Sequence, residues 1–192
     1  SAMPFSEQLL IAIALAMDAF AVAIASGVAL RRVTARQTFR LAWHFGLFQA
    51  FMPVIGWFMG VKIRPYIAAF DHWLAFGLLA YLGGKMIHEA FADAEDKAQT
   101  DPTRGASLVM LSVATSIDAL AVGLSLSLLG LDVWLPALVI GLTAFAFTAA
   151  GLHIGRLASQ GRRLSLYAEV LGGSVLIGIG IKILIEHKAL WF

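Results

Sequence analysis

Six apolar stretches follow one another along this chain, each near the ~20 residues an α-helix needs to cross a bilayer. They run from about Leu9 to Leu30, Phe39 to Val61, His72 to Phe91, Ala106 to Leu129, Val133 to Leu157 and Leu166 to Ile185. In hydrocarbon a lone segment must satisfy its own backbone polar groups, so such stretches form helices. The expected fold is all-α and integral to the membrane, with six transmembrane helices. Composition agrees: of 192 residues, 60% are hydrophobic and 14% charged, against roughly 25% charged in a soluble domain. No water-soluble fold of this size could hide that much apolar surface. Ser1 and Ala2 ahead of Met3 read as a tag scar rather than part of the fold. The first stretch is too long, and lacks the basic flank, for a cleavable signal peptide.

Cysteine is absent, so disulfides, thiolate metal sites and thiol nucleophiles are excluded. The net charge is only +2, which gives no reason to expect a nucleic-acid partner. The basic residues instead mark topology. Arg31, Arg32, Arg36 and Arg40 follow the first span, Lys97 and Arg104 the third, and Arg156, Arg162 and Arg163 the fifth. The other side has Lys62, Arg64 and the terminal Lys188. The positive-inside rule places the richer side in the cytoplasm. Both termini are then expected in the periplasm, with the chain in a bacterial inner membrane.

An internal repeat divides the chain. Met17-Asp18-Ala19-Phe20-Ala21-Val22 in the first span matches Ile117-Asp118-Ala119-Leu120-Ala121-Val122 in the fourth, at an offset of 100 residues. Gly56-x-x-x-Gly60 in the second matches Gly151-x-x-x-Gly155 in the fifth, at an offset of 95. Lys85 and Glu89 in the third match Lys182 and Glu186 in the sixth, at an offset of 97. Three matches in the same order predict duplication of a three-helix unit. A unit with an odd number of spans inserts its second copy upside down, so the halves are expected to be inverted repeats. Residues 1–91 form the first repeat, 92–105 an acidic cytoplasmic loop, and 106–192 the second repeat. This architecture is typical of secondary transporters, whose sites lie at the midplane between repeats.

Asp18 and Asp118 sit near the middle of their spans. An aspartate at the bilayer centre costs at least about 2.5–3.5 kcal/mol, and is by default a functional candidate. Ala14, Ala21 and Ala25 share the helical face of Asp18, and Ala114, Ala121 and Ser125 that of Asp118. Small neighbours let helices approach closely or leave room for a ligand. The competing reading is a pair of structural carboxylates bonded to Ser or Thr. Two facing carboxylates suit a hard divalent cation such as manganese, magnesium or calcium, which prefers oxygen ligands. Without the ion they repel, and one takes up a proton more readily. Such a site exchanges metal for protons, so both are expected partners, with the bilayer as solvent. Gln49, Thr115 and Ser116 are the nearest oxygen donors, with Ser26 and Thr143 as weaker ones. Gln49 is the only amide deep in a span, and a helix–helix hydrogen bond is its alternative role.

Glu169, near the cytoplasmic end of the sixth span, is a candidate gate or proton relay, with a solvated end residue as the alternative. His44 and His153 could bind a softer metal, but packing histidines are more common. Lys85 and Lys182 are expected to snorkel or to pair with Glu89 and Glu186. No Gly-x-x-x-x-Gly-Lys-Ser/Thr loop or soluble domain supports ATP-driven pumping. A homo-oligomer is compatible with the pattern.

The chain resembles the bacterial manganese efflux pumps (MntP), small six-helix inner-membrane proteins. The resemblance is carried by Met17 to Val22, by Phe45-Gly46-x-x-Gln49-Ala50-x-Met52-Pro53-x-Ile55-Gly56-Trp57, by Leu82-Gly83-Gly84-Lys85-Met86-Ile87, by Ala114 to Gly123, and by Ala168-Glu169-x-Leu171-Gly172-Gly173. It covers nearly the whole chain and implies a transporter, not an enzyme, that exports manganese(II) as substrate, with no resident cofactor. Asp18 and Asp118 match the family's intramembrane aspartates. Some members carry Glu where this chain has Gln49, which leaves the site here one potential charge poorer.

Rival classes are weaker. An intramembrane aspartyl protease would carry Tyr-Asp and Gly-x-Gly-Asp contexts, and Asp18 and Asp118 have neither. An exporter of an amino acid needs a cation for the substrate carboxylate, and no Arg lies deep in a span. Export of another divalent cation is the nearest alternative.

Topology reporters test the arrangement. Fusions in the loops holding Arg36, Lys97 and Arg162 should read cytoplasmic, and a C-terminal fusion periplasmic. A cytoplasmic C-terminus would contradict the orientation.

Overall fold

A computed structural model describes residues 3–30, 32–67 and 103–157 continuously, with further helical positions between 73 and 91 and between 166 and 185. Four helices are bounded among these residues: α1 (Phe5–Leu30), α2 (Ala35–Ile67), α3 (Gly105–Leu128) and α4 (Trp134–Leu157). They correspond to the first, second, fourth and fifth apolar stretches. All four are long and apolar enough to cross a membrane, and the described residues form helices without strands. Large apolar side chains such as Phe51, Phe58, Met110, Leu138 and Leu142 face outward, as a hydrocarbon solvent allows and water does not. The third and sixth stretches lie largely outside the described residues, as do residues 92–102 of the acidic loop.

Helix ends follow local chemistry. α1 begins four residues before the apolar stretch because Pro4 starts a turn, its carbonyl accepting from the N–H groups of Glu7 and Gln8. α2 begins at Ala35 because Thr34 and Gln37 form a capping box: the Thr34 N–H donates to Gln37 Oε1, and the Gln37 N–H to Thr34 Oγ1. α2 also runs past Val61 to Ile67, since a helix needs no apolar side chains to continue once it leaves hydrocarbon. α3 ends in a Schellman turn. Gly130 takes φ 70°, its N–H reaches Ser127 O, and the Leu131 N–H reaches Leu126 O. Trp57 Nε1 donates to Leu131 O at 2.7 Å, tying α2 to that turn.

Packing crosses between the halves. α1 lies along α4, α2 along α3 and also against α4, while α1 and α3 barely meet. Glycines set the closest approaches. A Cβ on Gly155 would overlap the Ile24 carbonyl, and one on Gly56 the Leu120 carbonyl. Gly151 abuts Phe20, Gly60 abuts Leu124 and Ser127, and Gly27 abuts Gly155. Between α2 and α4, a Cβ on Gly46 would stand 2.9 Å from Gly141 O, and one on Gly141 2.9 Å from Gly46 O. Rising numbers pair with rising numbers along α1/α4 and along α2/α3. Along α2/α4 the order reverses, because Phe39 meets Phe145 while Ala50 meets Gly141. So α1 and α4 run one way through the bundle, and α2 and α3 the other.

Two apolar clusters occupy opposite ends of this bundle. One joins Ile11 to Met17 of α1 with Ala119, Val122 and Leu126 of α3, and with Val133 to Ile140 at the start of α4. The other joins Ala19, Ala23, Leu41, Phe45, Leu108 and Leu152.

The close crossings predict a clear asymmetry of tolerance. Gly56→Leu and Gly155→Leu should each lower stability by about 1–3 kcal/mol through overpacking, read as a reduced Tm in detergent. Ala146→Leu, on an exposed face, should leave Tm unchanged.

Candidate functional site

On α1 the two apolar clusters meet around Asp18, where Met17 and Phe20 pack in one and Ala19 in the other. On α3 the gap between them spans the residues between Leu111 and Ala119, which include Ser112, Thr115, Ser116 and Asp118. On α2 it lies between Phe45 and Met52, around Gln49. On α4 it lies between Phe147 and Leu152, at Thr148. Each of the four helices therefore contributes polar side chains to one layer, with apolar packing on both sides of it.

Burial is graded within the layer. Asp118 is only 2% exposed, Gln49 and Ser116 are fully buried, and Thr115 is buried too. Asp18 is half-buried. The hydroxyls of Ser112, Thr115 and Ser116 donate to carbonyls one turn back, on Leu108, Leu111 and Ser112 respectively. Those donations occupy their protons and leave oxygen lone pairs for an acceptor role.

Gln49 makes a side-chain bond across helices within this layer. Its Nε2 donates to the Thr115 backbone carbonyl at 2.8 Å. A carbonyl can only accept, so the amide nitrogen must face it and Oε1 must turn elsewhere. Gln49 Oε1 is buried with no hydrogen-bond partner among the described residues. In an apolar interior such an oxygen costs about 1–3 kcal/mol, which marks it as a place for a ligand. Thr148 Oγ1 is in the same condition. Thr148 was not singled out in the sequence, whereas Thr143 was. The discriminating signal is the face of α4: Gly141, Ala144, Thr148, Gly151 and Gly155 are its buried side, and Thr143 sits off it, half-buried.

Other expectations fare differently. Ala14 and Ala21 are buried as expected for neighbours of Asp18, but Ala25 is exposed. Ser26 is buried and donates to its own helix at Val22 O. His44 engages the Arg40 carbonyl through Nδ1, and His153 Nε2 lies 3.3 Å from Thr38 Oγ1. Both histidines thus serve the ends of α2 and α4. Glu169 lies outside the described residues, together with Lys85, Glu89, Lys182 and Glu186. Among the described residues no three His, Asp or Glu side chains gather as a metal cluster. Among the described residues, the oxygens of this layer are those of Asp18 and Asp118 and otherwise neutral ones. That donor set fits a hard ion and disfavours zinc or copper.

Helices long and apolar enough to cross a bilayer define a multi-pass membrane protein. Residues 32–184 match the family described as "Putative manganese efflux pump", and the chain belongs to that family. The protein of that description from Nitratidesulfovibrio vulgaris strain DP4 is 62% identical over 94% of this chain and 90% of its own length. That of Oleidesulfovibrio alaskensis is 63% identical over 93% and 94%, and that of Syntrophotalea carbinolica 60% identical over 92% and 94%. No solved structure matches the chain.

The state of Gln49 yields a stability prediction. Its bond to Thr115 is worth about 0.6–1.5 kcal/mol, less than the burial cost of the unpartnered Oε1. Gln49→Leu should therefore leave metal-free Tm unchanged or raised. A fall equivalent to more than about 2 kcal/mol would make Gln49 a structural residue.

Proposed function

We propose that this protein exports manganese(II) from the cytoplasm across the bacterial inner membrane, with Asp18 and Asp118 as the charged ligands of a midplane site. The observation that carries the reading is the polar layer between two apolar clusters. A hydrated ion cannot cross either cluster, so the layer is reachable only when one of them opens. Family membership and the names of relatives 60% identical or more support manganese as the cargo. Gln49, Thr115 and Ser116 complete the coordination as neutral oxygens, and Glu169 serves as gate or proton relay.

The fold proposed for this task has six spans in two inverted repeats. The opposite directions of α1 and α3 support it. So does the register of the crossings: Phe20–Gly151 and Ile24–Gly155 correspond, at offsets of 100 and 95, to Leu120–Gly56 and Leu124–Gly60. Gly46 and Gly141 correspond to each other and touch, as positions on a two-fold axis must. Both termini are then periplasmic.

Export moves two positive charges against an inside-negative potential. At ~100 mV this costs about 4.6 kcal/mol. A passive pore would need an outward gradient above ~10³-fold, since each tenfold supplies about 1.4 kcal/mol. Proton antiport through the two carboxylates is the simplest coupling: protons from outside neutralise them and displace the metal, and two protons per ion make the cycle electroneutral. Export of another divalent cation is the second reading, because the donor set alone does not single out manganese.

Proteoliposomes with a trapped pH dye and no sodium test the proposal. Manganese entry should drive opposing proton movement. Asp18→Asn and Asp118→Asn should each abolish the flux at normal expression, and Gln49→Ala should reduce it less. Unchanged flux in both Asp variants would overturn the site, and flux without proton movement would overturn the coupling.

A further inference from the structure

The crossing register lets each position in the polar layer be compared with its counterpart in the other half. Asp18 corresponds to Asp118 and is preserved. Nothing else polar is. Ser112, Thr115 and Ser116 of α3 correspond to Ala12, Leu15 and Ala16 of α1. Gln49 of α2 corresponds to Ala144 of α4, and Thr148 of α4 to Pro53 of α2. Ala12, Leu15, Ala16 and Ala144 are all buried at 1% exposure or less, so at these four positions the α1/α4 half presents hydrocarbon where the α2/α3 half presents oxygens, and Thr148 Oγ1 is the neutral oxygen it offers in the layer. Burial of the two carboxylates follows the same division: Asp118 is 2% exposed and Asp18 half-buried.

We propose that the cation is held off the two-fold axis, on the α2/α3 pair, and that the two aspartates have different tasks. Asp118 and Gln49 Oε1 form the resident half of the site. The Gln49 bond to Thr115 O fixes the amide so that the buried, unpartnered Oε1 is presented as a neutral ligand. Thr115 lies one turn before Asp118 on α3, so the anchor and the carboxylate share one helix face. Asp18 arrives on the other packed pair, α1/α4, and is the ligand that closes on the ion and leaves it. A hard cation gains most where several oxygens are already oriented. Against Gln49, Thr115 and Ser116 on α2/α3, the α1/α4 pair offers Thr148 as its neutral oxygen in the layer, too few oxygens for that shell. This inference rests on the divalent-cation reading above and deepens it: affinity belongs to α2/α3, and exchange to the meeting of the two pairs.

Manganese(II) titrated calorimetrically into the purified full-length protein tests the division, with flux in proteoliposomes measured beside it. Asp118→Asn should weaken binding at least about tenfold more than Asp18→Asn, a difference of about 1.4 kcal/mol. Asp18→Asn should retain saturable binding while losing flux. Gln49→Leu should weaken binding, and Ala144→Leu, its counterpart, should not. Equal losses in the two Asp variants, or a larger loss in Asp18→Asn, would overturn the asymmetry while leaving the transport reading intact. Absence of binding to the unaltered protein would overturn the transport reading itself. Unaltered thermal unfolding of each metal-free variant separates lost ligation from lost fold.

Discussion

A carboxylate halfway across a bilayer is tolerable only where neighbouring helices supply hydroxyls, amides or a counter-ion in place of water. Most of this bundle is arranged around that constraint. Asp18 and Asp118 fall at the seam between two apolar clusters, not inside either. The same seam collects Gln49, Thr115, Ser116 and Thr148, while the clusters above and below are built from Leu, Ile, Val, Ala and Phe. Apolar packing flanks the layer, so its electrostatic interactions act in a low dielectric and are strong. In the proposed site a divalent ion would exchange its water shell for oriented oxygens and two negative charges.

Holding such a layer together requires helices that cannot slide apart, and glycine provides this. Within lipid there is no hydrophobic drive between helices, so close backbone contact must replace it. Gly56 and Gly155 bring α2 against α3 and α4 against α1, and Gly46 meets Gly141 where the two pairs touch. Contacts within each pair are extensive, while α1 and α3, which carry the aspartates, barely meet.

Much of this was legible in the residues. Four of the six apolar stretches are helices in the structure, with ends within six residues of those expected, and the duplicated Asp-Ala motif drew attention to the polar positions between the clusters. The two Gly-x-x-x-Gly motifs that mark the repeat are close-packing positions. The sequence did not reveal their partners, because contacts between the first and fifth or second and fourth spans are tertiary and leave no local periodicity. Thr34-Ala35-Arg36-Gln37 is a capping box that was available in the sequence and moves the start of α2 by four residues. Thr148 was missed because a hydroxyl in an apolar helix is unremarkable until its face is known. Ala25 was expected among the buried neighbours of Asp18 and is exposed.

The central claim is that the polar layer is one divalent-cation site built on two aspartates. Electron paramagnetic resonance of manganese(II) added to the purified protein measures this directly, because bound and aqueous ion give distinct spectra. The account predicts one saturable bound ion per chain at neutral pH, lost when Asp18 and Asp118 are both replaced by Asn. A bound-ion signal that survives the double replacement would contradict it.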